Sequence, residues 1–516
     1  MYSFIDIFKK YYAFFIIILF IFIFNIQLDH HIAFYADNST KFFQAYSVIE
    51  NHFKDDIIRC KWLKDFDYCR FHIITNTMIY NNMHLIQGVF PFFLSYTNAI
   101  LMKIFGYSFF LIFPQIIFVV NLLLLRKYLN NITLLFLFLS TPLYFHYFTF
   151  SDVALSCFFS SFIFILLMER DFLSIAKVFF LGILTGLNIF FRYEAQIYIG
   201  ILLFMLIIFE RNHRKKYFIF GLGLLLSLFL FFILNYFYYG NILGLRLLVN
   251  TDGIFNRDLT SKFIAIIGNI WGSFMHPVGF FKYMFYLLIF YIFFFIKRKQ
   301  FSLTEKRIYY SLIISFMVIL VLAPNDSNVD YGTRYLSVLI LPSFILLSKF
   351  LESISHSYIK YFFFFLMILS INYSFNYYKD LVSNNKIGKN LYSQIEAEYK
   401  KNALWIFHSN YYPNSWGIYL FDNKVIVIEN QEELNFFKEI FNKKEIREKY
   451  KKVLIFNINT NIKIEGEENQ KDRFFYEDEE VKNNLFNYFS SILKNHKEKE
   501  ITLNKDNKVI IHFIDL

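Results

Sequence analysis

A small set of ionisable residues in this 516-residue chain stands at the ends of apolar segments, where desolvating a charge is costly and its presence asks for a reason. Asp37 lies in Tyr35-Ala36-Asp37-Asn38-Ser39-Thr40-Lys41, soon after the first apolar segment. Asp152 sits in Thr149-Phe150-Ser151-Asp152, between two later ones. Arg192 and Glu194 fall in Phe190-Phe191-Arg192-Tyr193-Glu194. Arg334 falls in Asp330-Tyr331-Gly332-Thr333-Arg334-Tyr335, followed by Pro342. Arg246, Arg257 and Lys262 populate one longer polar stretch. Each has a plain structural reading: Asp37 and Asp152 as helix caps, Arg192 with Glu194 as an ion pair, Arg334 as a snorkelling cation. Together they suit one chemistry. A carboxylate takes the proton of an attacking hydroxyl, cations hold a phosphate while its bond to a sugar breaks, and a second carboxylate holds a divalent cation, Mg or Mn, on that phosphate.

Such residues need elements to position them, and composition says what kind. The chain is 56% hydrophobic and only 18% charged, with mean hydropathy +0.40, well on the membrane side of a soluble domain. Charge is uneven. Residues 377–516 hold 22 basic and 22 acidic residues, against 30 and 19 in the longer stretch 1–376, so the whole net +11 belongs to the first part. This excludes a single soluble domain, a disordered chain and a secreted disulfide scaffold. It also argues against nucleic-acid binding, which needs a basic patch on a solvated domain.

Apolar segments near 11–27, 106–125, 131–149, 153–168, 172–190, 195–209, 217–238, 277–296, 308–322, 335–348 and 359–376 read as eleven transmembrane helices. Lys9 and Lys10, Arg126 and Lys127, Arg211 to Lys216, Lys297 to Lys299, Lys306 and Arg307, and Lys349 and Lys360 all fall on one side if the N-terminus is cytoplasmic. The candidate site residues then fall outside, as does the tail. The first segment is followed by Gln27-Leu28-Asp29-His30 with no small-residue cleavage site, so it is expected to stay as an anchor. The domain division expected is 1–376 for the membrane part, with a first outside loop at 28–105, and 377–516 for a soluble, periplasmic domain.

In the first loop, residues 37–53 read as an amphipathic helix and 85–105 as an apolar one interrupted by Pro91, Asn98 and Lys103, both lying on or dipping into the outer membrane surface. The alternative for 85–105 is a further span, which would invert all that follows. The tail alternates β-like runs at Ala403–Phe407, Lys424–Ile428, Val453–Ile458 and Val509–Phe513 with helical stretches near 381–400, 431–449 and 480–494, the pattern of a small α/β domain. Of three cysteines, Cys157 lies in an apolar segment and reads as packing. Cys60 and Cys69 share the first loop, where a disulfide and two free thiols are both open readings.

Taken together these features resemble the GT-C class of integral-membrane glycosyltransferases, in the branch of dolichyl-phosphate-mannose and undecaprenyl-phosphate-sugar transferases that includes protein mannosyltransferases and aminoarabinose transferases. The resemblance rests on one span followed by a long outside loop that opens with Tyr35-Ala36-Asp37, amphipathic helices in that loop, and a Pro91-containing segment ending Phe105-Gly106. It rests further on an acidic residue at the third-to-fourth turn and on Tyr331-Gly332-Thr333-Arg334-Tyr335 with Pro342. It implies a polytopic α-helical fold and Asp37 as general base. It matches Asp152 by position with an acidic residue that ligates metal in some members. Arg334, Arg192 and Arg246 are the expected donor-phosphate ligands, with Asp152, Glu194, Lys41 and Tyr331 in support. The implied partners are a polyprenyl-phosphate sugar donor, a lipid, glycan or protein acceptor, and the inner (plasma) membrane. The chain departs from many relatives in having Asp37 where they have an Asp-Glu pair, and it lacks the Trp-Trp-Asp motif of oligosaccharyltransferases. Two other readings compete. An O-antigen-type polymerase usually carries its large loop late in the chain. A lipid-linked-glycan transporter or flippase predicts repeats and midplane charges, and neither is visible here.

Overall fold

The computed structural model describes residues 4–30, 37–58, 65–66, 77–80, 85–149, 152–169, 171–248, 258–272, 278–324, 334–408, 423–460, 479–502 and 507–516. The chain divides into two compact units, Met1–Ile26 with Phe109–Asp380, and Gln27–Ser108 with Leu381–Leu516.

Among the described residues, the regular structure of the first unit is helical. Among the described residues of the whole chain, two helices are long and apolar enough to cross a membrane, Arg211–Tyr239 and Ser357–Gln394, and a third span is added if Phe92–Phe105 and Phe109–Leu125, bent by 105°, count as one. Most of the other apolar segments are shorter or interrupted. Segment 131–149 breaks into Asn131–Leu139 and Leu143–Phe148, because Pro142 brings no N–H to the helix. The Ser140 and Thr141 hydroxyls donate to the carbonyls of Phe136 and Leu137, each at 2.6 Å, and Phe136 also accepts the Ser140 N–H at 2.8 Å. Segment 153–168 is divided at Ser161 into Asp152–Ser160 and Phe162–Glu169. Segment 172–190 is Ile175–Gly186 closed by a 3₁₀ turn at Leu187–Phe190, and 277–296 is Phe280–Tyr283 followed by Phe285–Ile296. Segment 335–348 opens as a 3₁₀ turn, Ser337–Leu339, before Ile340–Ser353.

Glycine decides one packing of consequence. Helix Ile175–Gly186 lies against Arg214–Tyr239 so closely that a Cβ on Gly182 would stand 2.1 Å from the Phe220 carbonyl oxygen, and one on Gly223 2.3 Å from that of Phe179. Without a hydrophobic drive inside a bilayer, such small-residue contact is what lets helices associate. Helix Arg214–Tyr239 then stops at Gly240, whose φ of +68° suits glycine. Along both helices large apolar side chains such as Phe180, Leu225, Phe229 and Phe237 stay exposed, as lipid-facing positions would.

The second unit holds a five-stranded sheet. Its strands are β3 (Ala403–Phe407), β4 (Lys424–Val427), β5 (Lys452–Thr460), β6 (Asn495–Thr502) and β7 (Asn507–Asp515), in the spatial order β4-β3-β5-β7-β6. The first three are parallel, and β7 and β6 return antiparallel. Helices Gln431–Phe441 and Lys444–Lys449 make the β4-to-β5 crossover. Strand β3 is a continuous apolar run, and β4 is one after Lys424, as strands covered on both faces must be. Trp405, Phe407, Phe456, Phe437 and Phe489 fill the core.

The first loop belongs to this unit rather than to the membrane part. Phe43, Ile58, Phe66 and Ile86 enter the same core, and Phe66 stacks on Phe437 with ring centroids 5.7 Å apart. The expected boundary at 376–377 thus misses that 27–108 and the tail share one apolar core. A helix forms at Asp37–Glu50, shorter than the expected 37–53, and it is buried along most of its length within this unit instead of presenting a surface-lying face. Segment 85–105 is not all helix. A short antiparallel pair, β1 (Thr77–Tyr80) and β2 (Leu85–Gly88), precedes Pro91, and only Phe92–Phe105 is helical. Buried Asp56 fixes this corner, accepting from Gln44 Nε2 at 2.9 Å and Gln87 Nε2 at 2.6 Å.

Candidate functional site

Five of the singled-out charges meet in the helical unit. Asp152 is the first residue of helix Asp152–Ser160 and is buried. Arg192 follows the 3₁₀ turn, which is tied down: its backbone N–H donates to the Asn188 carbonyl at 2.9 Å, Asn188 donates to the Ser160 hydroxyl at 3.1 Å, and Gln196 donates to Asn188 Oδ1 at 2.6 Å. The Arg192 guanidinium spans two carboxylates. Nε and Nη2 reach the two oxygens of Glu194 at 3.2 and 2.9 Å, and Nη1 reaches Asp152 Oδ1 at 3.5 Å. Arg246, on the short helix 244–248, donates Nη1 to the other oxygen of Asp152 and to the Phe191 carbonyl. The glycine-packed helix pair explains this convergence, since one helix leads into the Arg192 turn and the other into the Arg246 helix.

Arg334 joins through Tyr335. Its Nη2 donates to the Tyr335 hydroxyl at 3.2 Å, and the Arg192 and Arg334 guanidinium carbons lie 5.5 and 5.1 Å from that ring's centroid, within cation–π range. Arg192, Glu194, Arg334 and Tyr335, together with Ser156 and Cys157, line a small cleft. The Arg192 side chain is only 4% exposed. Burial alone would favour its neutral form, but Glu194 and Asp152 outweigh burial and the repulsion of Arg334, so its pKa stands above the ordinary arginine value. Among the described residues the cluster holds three guanidiniums and two carboxylates.

The sequence could not show that Asp152 serves two arginines. With a guanidinium on each oxygen, its carboxylate does not fit a divalent cation in this arrangement, and no group of three or more His, Cys, Asp or Glu among the described residues suits a metal. The sequence also gave no signal for the Asn188–Gln196–Ser160 network that fixes the Arg192 turn, nor for Ser337. The Ser337 hydroxyl meets His146 Nε2 at 3.3 Å, and its carbonyl accepts from the Cys157 thiol at 3.8 Å.

Asp37 and Lys41 belong to the other unit. Asp37 opens helix Asp37–Glu50, and Lys41 is buried with its Nζ 4.7 Å from the centroid of the Phe90 ring. Tyr331, Arg257, Cys60 and Cys69 lie outside the described residues. Lys262 lies in a separate helix, Leu259–Ile270. No protein-family model, curated protein or solved structure matches this chain.

Proposed function

We propose that this chain is an integral-membrane glycosyltransferase of the GT-C type. It moves a sugar from a polyprenyl-phosphate donor to a lipid, glycan or protein acceptor at the outer face of the plasma membrane, with eleven spans, a cytoplasmic N-terminus and the α/β domain outside. The observation that carries the reading is the gathering of Arg192, Arg246 and Arg334, from three distant stretches, around buried Asp152 and one cleft. The sidedness draws support from helix Glu194–Phe209. The Arg192–Glu194 pair stands at its start, and Arg307 of the basic set meets Glu210 at 2.8 Å just past its end, about 24 Å away at 1.5 Å per residue.

In this reading the acceptor hydroxyl oxygen attacks the anomeric carbon opposite the phosphate. The carbon–oxygen bond to phosphate breaks, polyprenyl phosphate leaves with the electron pair, and configuration inverts. Asp37 takes the hydroxyl proton, the role that the family resemblance implies for it. The arginines stabilise the charge that grows on the departing phosphate. Donor binding tests the phosphate site. Arg334→Ala in the full chain should weaken polyprenyl-phosphate binding by about ten- to a hundredfold, the worth of one charge-assisted hydrogen bond. Arg334→Lys should recover only part, since a point charge replaces a planar fork. Unchanged binding in Arg334→Ala would remove Arg334 from the site.

A further inference from the structure

Helix Leu259–Ile270, in the long stretch between helices Arg214–Tyr239 and Phe285–Ile296, has two unlike faces. Ala265, Gly268 and Asn269 are buried, and the helix packs on Phe280–Tyr283 and Leu303–Leu322. The end is fixed hard: a Cβ on Gly279 would come within 2.6 Å of the backbone at Ile270, Trp271 and Gly272. Leu259, Phe263, Ile267 and Trp271, spaced four apart along one stripe, are instead exposed by 85, 64, 39 and 42%, with Ile264 beside them. Asp258 caps the start through Ser261 N–H at 3.0 Å, and Lys262 borders the stripe.

Water is a poor neighbour for such a stripe. Leaving these five large side chains solvated forfeits the favourable transfer of their apolar surface out of water. The helix is also too short to cross a bilayer, since twelve residues reach about 18 Å against a hydrocarbon core of about 30 Å. An apolar face, flanking charges and a terminal Trp are the composition of a helix lying in the plane of a membrane interface. The same unit already presents exposed apolar side chains along Arg214–Tyr239, a helix long and apolar enough to cross a membrane, as a bilayer-embedded unit would.

We infer that helix Leu259–Ile270 is an interfacial anchor, its Leu259–Phe263–Ile267–Trp271 stripe seated in the headgroup–acyl boundary of the bilayer. The inference rests on the reading of this unit as membrane-embedded. Lipid is a better occupant than a second copy of the chain, because the one polar group of the stripe is the Trp271 indole N–H, at the end where an interfacial Trp meets the headgroups. Its depth would be about 5–10 Å below the headgroups.

A photocrosslinking amino acid placed at 263, 267 or 229 of the full chain, reconstituted in phosphatidylethanolamine–phosphatidylglycerol nanodiscs, tests this. Position 229 lies on the exposed face of the long spanning helix. Lipid adducts are expected at 263 and 267 in yield comparable with 229. Phe263→Glu should cut the yield at 267 severalfold, since a carboxylate resists burial in the interface. Lipid adducts at 229, with only solvent quenching or adducts to a second copy at 263 and 267, would overturn the anchor alone. Absence of lipid adducts at 229 as well would overturn the membrane reading beneath it.

Discussion

Replacing Asp152 with Asn is the most informative single change in the arginine cluster. Asp152 holds a guanidinium on each oxygen, and the three side chains Asp152, Arg192 and Arg246 are only 3, 4 and 11% exposed. The Arg192 contact at 3.5 Å is worth about 5 kcal/mol of Coulomb energy at an effective dielectric of 20. Asn keeps an acceptor for one guanidinium but turns an NH₂ donor toward the other. Breaking a buried pair in this way costs about 3–5 kcal/mol. The lower end applies, because Arg192 keeps its two bonds to Glu194. Denaturant unfolding of the full chain in detergent micelles should therefore show Asp152→Asn destabilised by about 3 kcal/mol. In that background Arg246→Met should cost much less than it does in the wild type, because the cation it removes has already lost its carboxylate. A coupling of about 2 kcal/mol is expected from the double-mutant cycle. Additivity within about 0.5 kcal/mol would refute the idea that Asp152 braces the two arginines.

Two further outcomes follow from other parts of the chain. Gly182→Ala should lower the thermal midpoint by the equivalent of about 1–3 kcal/mol, because its methyl group would meet the Phe220 backbone rather than a yielding side chain. Gly200→Ala, with open space around the new methyl, should be neutral or slightly stabilising; equal effects would show that the helices are not glycine-packed. His408, at the end of β3, is held neutral by burial and by Lys482, which push its pKa down from 6.5 to about 4. As pH falls the unfolded chain takes up this proton first, so stability is whole above about 6.5 and falls through the window from 6.5 to 4, by about 3 kcal/mol if the full shift is realised. Hydrogen exchange of Ala403–Phe407, corrected for intrinsic rates, should lose protection across that window. His408→Gln should flatten the loss, and protection constant with pH would contradict the assignment.

Much of the α/β domain was legible because its strands are apolar runs bounded by polar residues. Ala403–Phe407 matches residue for residue, and the runs at 424, 453 and 509 differ only at their ends. Strand β6 was missed because Asn495–Thr502 reads Asn-His-Lys-Glu-Lys-Glu-Ile-Thr, the charged composition with which an edge strand avoids pairing further. The placement of the first loop was illegible for a different reason. Phe43, Ile58, Phe66 and Ile86 look like surface-lying apolar residues until the tail supplies a core for them. In the site, isolated charges at segment ends picked out Asp152, Arg192, Glu194, Arg246 and Arg334. Their pairing depends on how helices Ile175–Gly186 and Arg214–Tyr239 pack, which no spacing in the sequence reveals. Asn188 and Gln196 act through the Arg192 turn and carry no mark of it in composition.

The proposed reaction is tested most directly by turnover of a polyprenyl-phosphate sugar by the purified full chain in lipid vesicles, wild type against Asp37→Asn. A carboxylate base is worth about 10²–10⁴ in rate, whereas Asn caps a helix about as well as Asp. Asp29→Asn is the control. Its backbone, not its carboxylate, makes the paired bonds to Asn385 at 2.8 and 2.9 Å, so this change should leave turnover intact. The expected result is transfer by wild type and Asp29→Asn, with a loss of about 10²-fold or more in a folded, donor-binding Asp37→Asn. Near-normal transfer in Asp37→Asn would contradict the base assignment, and no transfer by the wild-type chain across lipid, glycan and protein acceptors would contradict the proposed activity itself.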